Sequence, residues 1–304
     1  MTAEGLVLRA RSGFYTVETD AGDLVEAQLR GRMKKDRQTS DLAVIGDRVR
    51  LTTHPDGTGV IEKVEPRRRR FSRRQPGKRG AWREDVMVAN PDLVVVVVAC
   101  DHPPPNPRLI DRFLVVAEFN EVPAIVVANK VDLVDPATAL AVFEPYRDIG
   151  YEVLSTSAKA RIGLEELRGW IVGRLSIVTG PSGVGKSTLL NAVQPGLQLA
   201  TGDVSEALHK GRHTTTSAEL HRLDGGGYVA DTPGIRELGL WQIPSDELAW
   251  CFPEFREHLG GCAFSDCTHL HEPRCGLRSA VERGAVSEAR HDSYRRMRTG
   301  QEAT

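Results

Sequence analysis

The sequence is short of three features that would have placed it elsewhere. No uninterrupted apolar run reaches the length of a transmembrane helix. Met1 to Ala10 has neither the charged start nor the apolar centre of a secretory signal. Cysteine is scarce, at 5 of 304 residues, and a soluble protein of a reducing cytoplasm is not expected to hold its cysteines as disulfides. A membrane protein and a disulfide-stapled secreted domain are therefore excluded as expectations. The length leaves room for two or three domains and a substantial core.

Net charge is also nearly absent, at −1 for the whole chain, but the balance is uneven. Residues 1 to 83 hold 19 Lys and Arg against 11 Asp and Glu, a net of +8, which leaves −9 for the rest. Arg67, Arg68, Arg69, Arg70, Arg73, Arg74, Lys78, Arg79 and Arg83 carry much of the excess. A basic module on an acidic body has the electrostatic footprint of a nucleic-acid binder. The bland alternative is a solvated linker, and Pro76 and Gly77 suit one.

The segment before this run alternates short β-prone stretches with turn residues: Gly5 to Arg9, Phe14 to Glu18, Leu24 to Leu29, Asp47 to Thr52 and Gly59 to Val64. Five strands in about 65 residues predict an OB-fold barrel, a frequent binder of single-stranded nucleic acid. A protein-docking barrel fits the same pattern, since fold does not fix function.

The middle of the chain carries nucleotide chemistry. Gly180-Pro181-Ser182-Gly183-Val184-Gly185-Lys186-Ser187 is a full Gly-x-x-x-x-Gly-Lys-Ser phosphate loop between an apolar strand pattern and an apolar helical pattern. Its glycines let backbone N–H groups turn toward phosphate oxygens, and the helix start favours an anion. Lys186 is expected at the β and γ phosphates, the Ser187 hydroxyl on Mg²⁺, and Thr188 near the α-phosphate. Base identity is assigned to Asn129-Lys130-Val131-Asp132 and Ser157-Ala158-Lys159. The Asp132 carboxylate can accept from guanine N1–H and the N2 amine, a pair that adenine lacks, and a site built on paired polar contacts rejects such an analogue by about 10⁴. The Lys130 stem can cover one ring face, and the Ala158 N–H can reach guanine O6. A phosphate-loop ATPase or small-molecule kinase is disfavoured by Asp132.

These two segments precede the phosphate loop, the reverse of an ordinary GTPase, so the chain reads as circularly permuted. The permutation is tolerable because the motifs sit at carboxyl ends of neighbouring parallel strands, wherever the termini are cut. Leu93 to Ala99, Ala124 to Ala128, Val153 to Ser155, Leu175 to Thr179, Leu220 to Leu223 and Tyr228 to Ala230 supply the expected strands. Leu109 to Phe119, Ala137 to Ile149 and Leu164 to Arg174 supply helices.

Asp231-Thr232-Pro233-Gly234 follows an apolar strand, so Asp231 is expected to hold Mg²⁺ through water and the Gly234 N–H to meet the γ-phosphate. Gly211-Arg212-His213-Thr214-Thr215-Thr216 is the natural first switch. One of its threonines should complete the Mg²⁺ shell, with Thr215 favoured although spacing does not separate the three. The glutamine that orients water in Ras-type GTPases is missing: Ile235 stands there. His213 is the nearest group able to handle a proton near neutral pH, its alternative being a solvated loop histidine.

Near the C-terminus, Cys262, Cys267, His269 and Cys275 have the spacing and composition of a closed structural zinc site, with His271 a competing ligand. Cys100 and Cys251 read as buried structural cysteines.

Taken together these residues resemble the ribosome small-subunit-dependent GTPase A family of bacteria over nearly the whole chain. The resemblance implies a multidomain protein: an N-terminal OB-fold β-barrel (1–66, RNA-binding), a basic linker (67–84), a circularly permuted α/β P-loop GTPase domain with a mostly parallel sheet (85–240), and a C-terminal helical zinc-binding domain (241–304). It also implies that His269 rather than His271 is the fourth ligand and that His213 is catalytic. The expected activity is GTP hydrolysis in late maturation of the small ribosomal subunit, stimulated by the subunit and with contacts to ribosomal RNA. Zn²⁺ and Mg²⁺ are the expected ions, the chain is expected to be a monomer in the cytoplasm, and an RNA-binding switch with negligible hydrolysis shares every binding motif.

Overall fold

In the computed structural model, residues 1–31, 43–76, 82–135, 141–197, 199, 219–231 and 243–301 are described. The first five strands, β1 (Thr2–Arg11), β2 (Phe14–Thr19), β3 (Leu24–Leu29), β4 (Arg48–Thr53) and β5 (Thr58–Val64), close into a barrel. The order is β1-β2-β3-β5-β4, and β4 pairs back onto β1 from Thr2↔Thr52 to Leu6↔Arg48. Alternation along β3, exposed and buried in turn, sends Val25, Ala27 and Leu29 into a core with Val7, Val17, Leu51 and Ile61.

The basic segment expected to be a linker is instead largely strand. β6 (Arg70–Pro76) pairs antiparallel with β7 (Trp82–Ala89), from Arg70↔Ala89 to Pro76↔Trp82. Phe71 and Val88 are buried, so the base of this hairpin belongs to the protein's core. Arg67 is not part of a free basic surface either: its Nε and Nη2 donate to both carboxylate oxygens of fully buried Asp47, at 2.7 and 2.8 Å. Such a bidentate pair is a strong, orienting contact, and it ties the barrel to the start of the hairpin.

The central sheet continues with β8 (Leu93–Ala99), β9 (Ala124–Asn129), β10 (Glu152–Thr156), β11 (Leu175–Thr179), β12 (Glu219–Arg222) and β13 (Tyr228–Asp231). Its order is β10-β9-β8-β11-β13-β12, parallel except for β12. All seven residues of β8 are buried, as a strand covered on both faces must be. Val94, Val96 and Val98 face α1 (Pro107–Phe119) and the C-terminal region. Leu93, Val95 and Val97 face α3 (Leu164–Ile171) and α4 (Lys186–Val193), while α2 (Glu144–Asp148) forms the end of the helix expected from residue 137. Burying one such aliphatic side chain is worth about 1.5–3 kcal/mol, so the two layers fix the strand ends that carry the motifs.

The barrel meets the outer edge of this sheet, where Arg9 of β1 pairs with Glu219 of β12. Their side chains also form an ion pair, and buried Glu18 accepts from Arg222 and, at 2.6 Å, from the Tyr228 hydroxyl.

The C-terminal region comprises short turns at Leu248–Cys251 and Pro253–Phe255, then α5 (Arg256–Leu259), α6 (Gly276–Glu282) and α7 (Glu288–Thr299). Phe252 and Phe255 stack at 4.6 Å, with Tyr294 edge-on to both. Arg290 of α7 is 3% exposed and lies 4.6 Å over the Phe252 ring. It donates to Asp111 of α1 at 2.6 Å and to Glu254 at 2.7 and 3.3 Å, and Asp111 also accepts from the Tyr146 hydroxyl at 2.8 Å. This charged cluster locks the C-terminal region onto the helix that covers β8. No helix among the described residues is long and apolar enough to cross a membrane.

Candidate functional site

The phosphate loop leaves the end of β11 and enters α4 at Lys186. Gly180 has φ of 138°, and a Cβ there would stand 2.0 Å from the Val97 carbonyl oxygen; Gly185 has φ of 91°, and its Cβ would meet Asn129 Nδ2 at 2.9 Å. Both positions therefore need glycine. Lys186 Nζ curls into the loop and donates to the carbonyls of Gly180 and Pro181 at 2.7 and 2.6 Å. Val184 is buried and anchors the loop, Ser182, Gly183 and Thr188 are exposed, and Ser187 is half-buried in the first turn of α4.

The two segments expected to read guanine come to the same edge because β9 and β10 are neighbours in parallel register, Asn129 opposite Thr156. Asn129 is buried and joins three elements. Its Nδ2 donates to the Val184 carbonyl at 2.8 Å, and its Oδ1 accepts from Thr156 Oγ1 at 3.1 Å. Lys130, at φ of 62°, donates to the Gly183 carbonyl at 2.8 Å and to the His102 carbonyl. Asp132 is exposed and accepts from Ser157 Oγ at 2.6 Å, while that oxygen accepts from the Ala160 N–H at 2.9 Å. Val131 and Ala158 are half-buried beside it, and Lys159 is exposed. The two segments and the phosphate loop thus form one hydrogen-bonded unit.

On the other side of β11, β13 runs parallel with Ile177 opposite Ala230, which brings Asp231 to the same end of the sheet. The Asp231 side chain, His213, Thr215, Gly234 and Ile235 lie outside what is described. Thr156, the Asp101–His102 turn and the Arg290 cluster were missed in the sequence; only Pro103-Pro104-Pro105, just past the Asp101–His102 turn that follows β8, signalled that the chain there is constrained.

Residues 64–241 match the RsgA GTPase family, and residues 4–61 match the RsgA N-terminal domain. The chain belongs to the RsgA GTPase family. One relative, the small ribosomal subunit biogenesis GTPase RsgA of Gemmatimonas aurantiaca, is 46% identical over 97% of this chain and 96% of its own. Two solved structures agree with the RsgA assignment. YjeQ from Thermotoga maritima is 37% identical with a TM-score of 0.82, covering 99% of this chain and 98% of its own. YloQ, described as a circularly permuted GTPase, is 31% identical with a TM-score of 0.76, covering 99% and 95%. This RsgA-family chain is a GTP hydrolase with a closed N-terminal barrel and a permuted GTPase domain.

The RsgA C-terminal region gathers Cys262, Cys267, His269 and Cys275 with their ligand atoms all within 4.8 Å of one another. A tetrahedral zinc with bonds of about 2.3 Å to sulfur and about 2.0 Å to nitrogen has S···S edges of about 3.8 Å and S···N edges of about 3.5 Å. Cys262 Sγ lies 3.8 Å from Cys275 Sγ, and His269 Nδ1 lies 3.5 and 3.4 Å from these two sulfurs. The donor set fits a closed structural zinc site. His271 is exposed and outside the cluster, which selects His269. Glu272 accepts from the N–H groups of Thr268, Leu270 and His271 and so orders the ligand loop. Cys100 and Cys251 are buried elsewhere, and burial pushes their thiols up to about 11 and about 12.

Proposed function

We propose that this GTPase acts in late maturation of the small ribosomal subunit in the cytoplasm, as a monomer that binds the subunit and its RNA and hydrolyses GTP faster when bound. The observation that carries the reading is the single hydrogen-bonded unit made by Asn129, Lys130, Asp132, Ser157 and the phosphate loop. The relatives' name, small ribosomal subunit biogenesis GTPase, supplies the assembly context.

In this reading Asp132 and Ala158 read guanine, Lys130 covers the ring, and residues 180–188 hold the phosphates with Lys186. Ser187, Thr215 and, through water, Asp231 would hold Mg²⁺, which neutralises phosphate charge. Gly234 meets the γ-phosphate. His213 positions or deprotonates the attacking water in the role that Ile235 cannot fill. Zn²⁺ on Cys262, Cys267, His269 and Cys275 is structural and takes no part in hydrolysis. The barrel (1–66) and the basic segment contact RNA, residues 85–240 form the GTPase domain, and residues 241–304 form the zinc domain.

The basic segment gives a direct test. Arg68 and Arg69 are exposed, whereas Arg67 is held by Asp47. Arg68→Ala with Arg69→Ala is expected to weaken cosedimentation with small subunits and to flatten its salt dependence by about 0.7–0.9 in slope per lost phosphate contact. An unchanged slope contradicts the RNA-binding role of this segment.

A further inference from the structure

Between β8 and α1 the chain runs as a strap, Asp101 to Asn106, beside the phosphate loop. Its first turn is unusual: His102 has φ of 48°, the left-handed region that residues with a Cβ seldom enter. One Asp101 carboxylate oxygen holds this turn, accepting the His102 backbone N–H at 2.8 Å and facing His102 Nδ1 at 2.6 Å. The turn aims the His102 carbonyl at Lys130, whose ammonium donates to it and to the Gly183 carbonyl together. Pro103 then closes on the loop, its Cδ 3.6 Å from where a Cβ on Gly183 would stand. Lys130 is thus held between two backbones that come from different parts of the sequence.

We propose that Asp101 is a positioning residue for the guanine nucleotide: by fixing the His102 turn it holds the Lys130 stem against the phosphate loop, ready to cover the purine ring. The inference rests on the reading of Lys130 as part of the guanine site. A lysine stem free in solution must lose its rotamer freedom when the base arrives, and a stem already held by two carbonyls has lost it beforehand. Hydrogen bonds from the His102 ring and from its backbone N–H also hold the Asp101 carboxyl below the usual carboxylate range, so it is ionised at neutral pH. The His102 ring itself is 82% exposed and serves the turn from outside the pocket.

The test uses the full-length, zinc-loaded protein, with release of a fluorescent GDP analogue chased by excess GDP. Losing one anchoring hydrogen bond corresponds to about a three- to tenfold change. Asp101→Ala should therefore release the analogue about three- to tenfold faster and raise the KM for GTP by a similar factor, while kcat holds. Asp101→Asn keeps an oxygen that accepts the His102 N–H and should restore most of the slow release. Lys130→Ala should release fast with or without the Asp101 change. Release at the wild-type rate from Asp101→Ala, with Lys130→Ala fast, overturns the positioning role. Wild-type release from Lys130→Ala instead overturns the guanine-site reading beneath it. A fall in kcat at unchanged release from Asp101→Ala also overturns the proposal.

Discussion

The nucleotide site and the metal cluster are both built from loops, yet they are held in opposite ways. The loops at Asn129, Ser157 and Gly180 sit at the ends of the largely buried strands β9, β10 and β11, so the sheet fixes where they begin, and a few polar clasps finish the arrangement. The ligand loop, residues 262 to 275, has little apolar core of its own. Only His269 and Cys275 are buried there, and four donor atoms within 4.8 Å supply the convergence. A site seated on a sheet tolerates the loss of a side chain that touches ligand. A site that is its own core does not.

The largest expected effect breaks the second site. Binding of a structural zinc can contribute about 10–16 kcal/mol to the fold around it, so Cys267→Ala should lose stoichiometric zinc by elemental analysis and become protease-sensitive near the C-terminus. GTP affinity should change far less, because the pocket depends on the sheet. Retained zinc in this variant contradicts the ligand set.

Next comes the joint between the two regions. Arg290 is buried against Asp111 and Glu254, and removing one partner of such a cluster leaves uncompensated charge at a cost of about 3–5 kcal/mol. Arg290→Ala should lower the denaturation midpoint by a corresponding amount, with the C-terminal region loosening first in hydrogen exchange. Equal loosening of the barrel would show that the cluster does not serve this joint.

The smallest of the three leaves the fold intact. Asp132→Asn should weaken GTP binding by about 3 kcal/mol, roughly a hundredfold, since two charge-assisted bonds are lost. It should improve binding of xanthosine triphosphate, whose C2 oxygen suits an amide donor. Unchanged GTP affinity removes Asp132 from base reading.

The motifs were legible because each demands particular residue types at fixed spacing: glycines where φ is positive, a lysine and a hydroxyl after them, three thiols and an imidazole in one short segment. The strands were legible because β8 is a run of β-branched residues and the barrel strands alternate. What the sequence hid depends on distant partners. Asp111 is one charge on an amphipathic helix, and its contacts with Arg290, 179 positions away, and with the Tyr146 hydroxyl explain its burial. Arg67 reads as one arginine of a basic run until Asp47 is seen beneath it. The β6–β7 hairpin was disguised because charged residues mask its period, and the Asp101–His102 strap carries no motif.

Hydrolysis driven by the small subunit is the central claim, and phosphate release measured with and without isolated small subunits tests it most directly. Subunits should accelerate GTP turnover by the wild-type protein. His213→Ala should still bind GTP and the subunit yet lose most of that acceleration, about 10²-fold if water positioning or general-base catalysis has its usual size. Turnover that does not respond to subunits would contradict the account, and full stimulation of His213→Ala would move the catalytic group away from this residue.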